Sequence, residues 1–137
     1  ISKNEVNLSS LNLKLEIKNL KESKYTFLFH NKFGDSLSFG IDNIEKHYFV
    51  NRQKSGKVSF SDKFANTISR AGFSNPSNFL KMQVILDKTS IEVFYNDGEI
   101  SMSEIFFPNQ PFETLSIMTS DEKLILENIK IEELQLK

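Results

Sequence analysis

Residues Met82 to Pro108 read MQVILDKTSIEVFYNDGEISMSEIFFP. This stretch holds three runs rich in β-branched and aromatic residues, separated by Asp87-Lys88-Thr89-Ser90 and by Asn96-Asp97-Gly98. Such punctuation predicts an antiparallel three-strand meander. In the middle run Ile91, Val93 and Tyr95 alternate with Glu92, Phe94 and Asn96, and alternation sends the two sets to opposite faces of a strand. One carboxylate therefore shares a strand face with an aromatic ring.

Working outward, LNLKLEIK at Leu11 to Lys18 alternates strictly, with Leu11, Leu13, Leu15 and Ile17 against Asn12, Lys14, Glu16 and Lys18. That is a strand with one dry and one wet face. Val6 and Leu8 lie in the opposite phase, so a bulge or kink is expected at Ser9-Ser10. Tyr25 to Asn31 and Leu37 to Asp42 form a hairpin through Lys32-Phe33-Gly34-Asp35, where Gly34 supplies a positive φ. Lys46 to Arg52 and Lys57 to Ser61 are strands flanking the Gln53-Lys54-Ser55-Gly56 turn, with Arg52 closing the first of them. Asp62 to Ser77 is the least strand-like region and reads as a loop with one helical turn, ended by Pro76. Phe112 to Thr119 gives another strand. Lys123 to Leu136 gives a last one with a phase change near Glu132-Glu133, although its composition also suits a helix.

Roughly ten short strands without a persistent helical period predict an all-β, two-sheet antiparallel sandwich of the jelly-roll or concanavalin-like kind, with residues 1–137 as one domain. Leu13, Leu15, Phe27, Phe29, Val84, Leu86, Val93 and Leu115 are assigned to its core. At 137 residues the chain can bury a core without covalent staples. Its 17 basic and 18 acidic residues give a net charge of -1, which disfavours nucleic acid and anionic membranes as partners. Without cysteine there is no disulfide, thiolate metal site or cysteine nucleophile. The chain starts at Ile1 and has no long apolar segment, so neither a signal peptide nor a membrane span is read, and a piece of a longer protein is expected.

The pattern Leu86-Asp87-x-x-Ser90-Ile91-Glu92-Val93-Phe94-x-Asn96-Asp97-Gly98-Glu99, followed by Ile105-Phe106-x-Pro108, resembles the C-terminal β-sandwich module of family-32 glycoside hydrolases, the invertases, levanases and inulinases. Asn51-Arg52-Gln53-Lys54-Ser55-Gly56 is similar to that module's Asp-Arg-x-x-Ser-Gly segment. Asn51 stands where the family usually has Asp, and Thr89 where Ser is common. The catalytic half of such enzymes is a β-propeller with a Trp-x-Asn-Asp-Pro-Asn nucleophile motif and a Glu-Cys acid/base motif. This chain has no Trp and no Cys. The resemblance therefore implies a non-catalytic module of a larger fructan hydrolase, with the propeller and a fructan or other fructose-containing sugar as its partners. An extracellular or periplasmic location follows if the parent is a levanase, a cytoplasmic one if it is a sucrose hydrolase. Asn96-Asp97-Gly98 lacks the residues that follow in the nucleophile motif and reads as a hairpin turn.

Arg52 and Glu92 sit among apolar neighbours, where an unpaired charge is costly. One reading pairs them with each other or with backbone, fixing strand register. The other, which the resemblance to family-66 fructan-binding modules implies, has them line a small polar pocket for a terminal fructose. Asp87, Asp97 and Glu99 are further candidates there, since a carboxylate accepts from adjacent hydroxyls while Arg donates to sugar oxygens. Turn residues of this kind also cap backbone. His30 and His47 lack metal-ligand spacing, no Asp-rich loop announces calcium, and no cofactor is assigned.

Overall fold

A computed structural model describes residues 10–56, 68–73 and 78–133. Within them lie ten strands and no helix: β1 (Leu11–Lys18), β2 (Lys24–His30), β3 (Ser36–Asp42), β4 (His47–Asn51), β5 (Ser69–Gly72), β6 (Phe79–Leu86), β7 (Ser90–Tyr95), β8 (Ile100–Ile105), β9 (Thr114–Thr119) and β10 (Ile125–Glu133). They form two five-stranded sheets, in the orders β10-β1-β6-β7-β8 and β5-β4-β3-β2-β9. The pairings between neighbours are antiparallel. The expected meander is β6-β7-β8, at one side of the first sheet.

Alternation decides what lies between the sheets. Leu11, Leu13, Leu15 and Ile17 of β1, Leu80, Met82, Val84 and Leu86 of β6, and Ile91, Val93 and Tyr95 of β7 are all buried against Tyr25, Phe27, Phe29, Leu37, Phe39 and Ile41 of the second sheet. Each such large side chain contributes about 1.5–3 kcal/mol when taken out of water. Phe27 and Phe29 both stack on Phe39, with ring centroids 5.5 and 5.7 Å apart. Tyr48 of β4 stacks on Tyr95 of β7 at 4.2 Å, which ties the two layers together. All eight residues assigned to the core from the sequence are buried.

Three expectations need correction. The region read as a loop contains an edge strand, β5, paired with β4 from His47↔Gly72 to Val50↔Ser69. Ser-Arg-Ala-Gly has no alternating apolar signal, because its pairing comes from the open edge of β4 rather than from its own burial. The irregularity in the last strand is at Asn128-Ile129, not at Glu132-Glu133: the register with β1 shifts between Lys14 and Glu16, and Asn128 takes a φ of 52°. Asn tolerates this left-handed conformation better than its neighbours do. Arg52 lies just past β4, in the turn, rather than closing the strand. Ile125–Glu133 of the tail is a strand and not a helix, and Gly34 has the expected positive φ of 103°. The kink at Ser9 and the strand Lys57 to Ser61 lie outside the described residues.

The protein's three tyrosines are all held by this interior. Burial pushes the Tyr25 hydroxyl up to about 12, helped by the bond it donates to Asp121 Oδ2 at 2.7 Å. The same bond holds Asp121 below its ordinary value. Tyr48 and Tyr95 are raised as well, chiefly by burial, and Tyr95 donates to the Gly40 carbonyl at 3.1 Å. Tyr25 thus contributes stability that is fully present below the unfolded value of 10.0 and is lost as pH rises through about 12. Asp121 works in the other direction, losing its contribution as pH falls through its lowered value. A phenolate absorbance titration should therefore show Tyr25 ionising near 12, with Tyr25→Phe removing that step. Three phenols ionising together near 10 with the strand signal intact would contradict this packing.

Candidate functional site

The five polar residues singled out from the sequence do not converge on one pocket. On β7, Ser90, Glu92 and Phe94 face outward while Ile91, Val93 and Tyr95 face the core. Glu92 is thus exposed on the outer face of the first sheet, on the same side as Phe94 and flanked across the ladder by Ile85 and Ser103. Asp87 is exposed in the β6–β7 turn, where its carboxylate accepts from the Lys88 N–H at 2.8 Å and its own N–H donates to the Ser90 carbonyl at 2.8 Å. Asp97 and Glu99 lie in the β7–β8 turn, a strand length of roughly 20 Å from Asp87. Asn96 and Asp97 both have positive φ, 53° and 60°, as a hairpin turn of this sequence requires. Asp97 pairs with Lys81 at 2.6 Å and raises the Lys81 ammonium above its ordinary value. With Asp97 75% exposed, solvent screens most of that attraction.

Arg52 belongs elsewhere. From the turn after β4 its guanidinium crosses the rim of the sandwich to β8, placing Nε 3.3 Å from Glu104 Oε2 and donating from Nη1 to the Ile105 carbonyl at 2.7 Å. Glu104 also accepts from the Ser69 hydroxyl of β5. Glu104 stands opposite Ile91 in the ladder and so faces inward, whereas Glu92 faces outward. The acid that meets Arg52 is therefore Glu104, and Arg52 and Glu92 approach the first sheet from opposite faces. The pairing anticipated for Arg52 exists, with a different partner, and it links the two sheets.

The short motifs around these residues have a common cause. Ser55 is fully buried, and its hydroxyl donates to the Arg52 carbonyl at 2.6 Å, closing the turn. Gly56 follows with a φ of 140°, and a Cβ added there would lie 2.0 Å from the Phe107 carbonyl oxygen. Arg52-x-x-Ser55-Gly56 and Ile105-Phe106-x-Pro108 are thus two halves of one clamp. Beside it the buried Asp35 carboxylate accepts from Asn31 Nδ2 at 3.1 Å and from Asn109 N and Nδ2 at 2.7 and 3.0 Å. Amide donors occupy that carboxylate, and among the described residues no three His, Cys, Asp or Glu side chains come together as metal ligands would.

The sequence reading passes over a larger feature. A groove of about 620 Å³ lies on the outer face of the first sheet, over β10, β1, β6 and β7. Lys130, Lys14, Gln83 and Phe94 form one continuous row across those strands, each opposite the next. Of the expected residues Asp97 lines the groove, and Glu92 lies on the same face one row away. The signal for β1 is the wet face of LNLKLEIK, which the alternation exposes. What brings Lys14 beside Gln83 is strand order, and pattern does not encode that.

Relatives agree with this architecture. The profile of the C-terminal domain of glycosyl hydrolases family 32 matches residues 2–133. The chain belongs to that family. A levanase from Bacillus sp. (strain L7) is 28% identical over 113 residues, covering 82% of this chain and 12% of the levanase. An extracellular exo-inulinase from Aspergillus niger is 30% identical over 77 residues, covering 56% of this chain and 14% of the enzyme. The chain thus spans 12–14% of the length of these two relatives. Among solved structures, exo-inulinase from Aspergillus awamori superposes with a TM-score of 0.75 at 22% identity over 91% of this chain and 25% of that one. Sucrose-6-phosphate hydrolase from Lactobacillus gasseri gives 0.73 at 18% identity, over 94% and 25%. At these identities the superpositions speak for the sandwich alone.

The clamp makes a direct prediction. The Arg52 and Glu104 side chains are 22% and 14% exposed, so removing one partner leaves the other charge poorly solvated. Arg52→Ala should cost about 1.5–3 kcal/mol, the worth of hydrogen bonds to charged groups. At this chain length that lowers the melting temperature by roughly 5–10 °C. Glu104→Gln should cost less in the Arg52→Ala background than alone. Additive losses would show that the two side chains are not coupled.

Proposed function

We propose that this domain is the ancillary, non-catalytic part of a larger fructosidase-type hydrolase and that it holds fructose-containing chains for that enzyme. The observation that carries the proposal is the span of the family match: it takes in residues 2–133, nearly the whole of this chain, while the chain amounts to only 12% of a levanase and 14% of an exo-inulinase. The chemistry of the parent would then reside in a separate catalytic domain, the propeller that the family resemblance implies. Levan and inulin, named in those relatives, are the substrates we assign to the parent.

The outer face supports the sugar-holding role. Glu92 is exposed there beside Phe94, and a carboxylate accepts from sugar hydroxyls in a water-facing site, while Asp97, which also lines the groove, is held by Lys81. Arg52 is left out of the site because Glu104 and the Ile105 carbonyl already occupy its guanidinium. Asp87 and Glu99 are left as turn residues.

A second reading, a purely structural module packed on the catalytic domain, is favoured by one specific feature. Phe33, Ile105 and Phe107 are exposed by 61%, 56% and 37%, on segments that the clamp and the Asp35–Asn109 bonds gather at one end of the sandwich. Exposed apolar side chains gathered in this way suit an interdomain contact. The two readings are compatible, since Phe33, Ile105 and Phe107 do not line the outer groove, and Ile105, although on the same face, stands two rows beyond Phe94.

Calorimetric titration of the purified chain with levan, inulin and sucrose separates them. A sugar-holding module should bind levan or inulin with a dissociation constant of about 10 µM to 1 mM, as expected for several hydrogen bonds worth about 1 kcal/mol each between neutral groups and about 1.5–3 kcal/mol to a charged one. It should release no fructose. Absence of heat with every fructan leaves the structural reading, whereas hydrolysis abolished by Glu92→Gln would make the chain an enzyme in its own right.

A further inference from the structure

We infer that the groove on the outer face of the first sheet is a binding trough for a stretch of several units of a neutral oligosaccharide, with Phe94 as its platform and Gln83 as its hydrogen-bonding centre. This deepens the sugar-holding reading and rests on it. It differs from a terminal-fructose pocket in predicting that affinity depends on chain length.

Shape comes first. The volume of about 620 Å³ lies in the range of sites that bury a ligand larger than a single monosaccharide. Strand spacing of about 4.8 Å puts β10 and β7 roughly 14 Å apart, with β1 and β6 as the floor between them. Two backbone irregularities line its sides. On one side Asn128 takes a left-handed conformation in the bulge of β10, and on the other the Asp97-Gly98 turn curls past the end of β7.

Charge decides the class of occupant. The ionic groups of this face alternate in sign: Lys81 pairs with Asp97 at 2.6 Å and Lys130 with Glu132 at 2.9 Å, Glu16 accepts from the Asn128 amide, and Lys14 and Glu92 add one further charge of each sign. A surface on which charges of opposite sign nearly balance offers little to an anionic polymer and suits a neutral polyhydroxylated one. A protein partner fits less well, because the core of a protein interface is depleted in charge, and here lysine and amide groups occupy the middle of the row.

Chemistry supplies the contacts. Phe94 is half-buried, so its ring is held by the sheet while part of it faces the groove, where it can pack on the C–H face of a sugar. Gln83, its direct cross-strand neighbour, donates from Nε2 to Asn12 Oδ1 at 3.0 Å, which orients the amide. An amide also has a second N–H and a carbonyl oxygen to offer to hydroxyls. The aliphatic stems of Lys14 and Lys81 and the side chain of Ile85 widen the apolar floor.

The test is a titration of the chain with fructose and with fructan oligomers of increasing length, on wild type, Phe94→Ala, Phe94→Tyr and Gln83→Ala. Affinity should rise by at least about tenfold from fructose to the longer oligomers. Phe94→Ala and Gln83→Ala should each weaken oligomer binding about tenfold, while Phe94→Tyr, which keeps the platform, should bind close to wild type. Unchanged melting of Gln83→Ala and Phe94→Tyr guards against reading a folding defect as lost contact. If fructans bind but fructose binds as well as any oligomer, or Gln83→Ala and Phe94→Ala bind like wild type, the trough is overturned and the sugar-holding reading survives. If no fructan binds at all, both fall together.

Discussion

Everything in this domain depends on the two-residue period of its strands. Along β1, β6 and β7 each step of one residue changes the face, so a single choice of register buries eleven apolar side chains and leaves their neighbours on the outside. The buried set meets the phenylalanines and tyrosines of the opposite sheet and closes the core. The outward set is then free of any packing duty. A slip of one residue would exchange the two sets and destroy both the core and the groove.

Parity also explains why Arg52 and Glu92 have different roles although both are charges placed among apolar residues. Glu92 shares the outward phase with Phe94, while Glu104, on the next strand, shares the inward phase with Ile91. At an edge strand an inward carboxylate is tolerable only if something satisfies it. Arg52 from the far sheet and Ser69 from β5 do so. The resulting clamp holds the 52–56 turn against residues 105–108, with Gly56 required because backbone occupies the space of a side chain. Motifs that look like ligand-binding signatures in the sequence are in this place joints between layers. The gathered loops carry Phe33 and Phe107 to one end, where Ile105, opposite Ser90, lies on the outer face two rows beyond Phe94.

Much of the fold was legible because its signals are local. Alternation at Leu11 to Lys18 marks β1 to the residue, and the Asn96-Asp97-Gly98 turn fixes the β7–β8 hairpin. β5 was not legible, since a four-residue edge strand pairs through backbone alone. The bulge at Asn128 was misplaced because the side-chain pattern around it, Ile125 to Ile131, reads equally well with the irregularity elsewhere. The site was less legible than the fold. Glu92 beside Phe94 on one face follows from the period of two, and that reading holds. The partner of Arg52 and the row Lys130–Lys14–Gln83–Phe94 depend on which strands become neighbours, and β1 sits between β6 and β10 from distant parts of the chain. The family profile over residues 2–133 supplies context that neither the pattern nor the geometry contains.

The most direct measurement of the central claim, that parity has set aside the outer face of the first sheet for a sugar chain, is a map of backbone amide shifts in the isotope-labelled chain on addition of a fructan oligomer. The account predicts shifts confined to β1, β6, β7 and β10, strongest at Gln83, Phe94 and the Asn128 bulge, with the Arg52–Gly56 turn and residues 105–108 unmoved. Shifts centred on that turn and its partner segment, or none on the outer face at saturating oligomer, would contradict it.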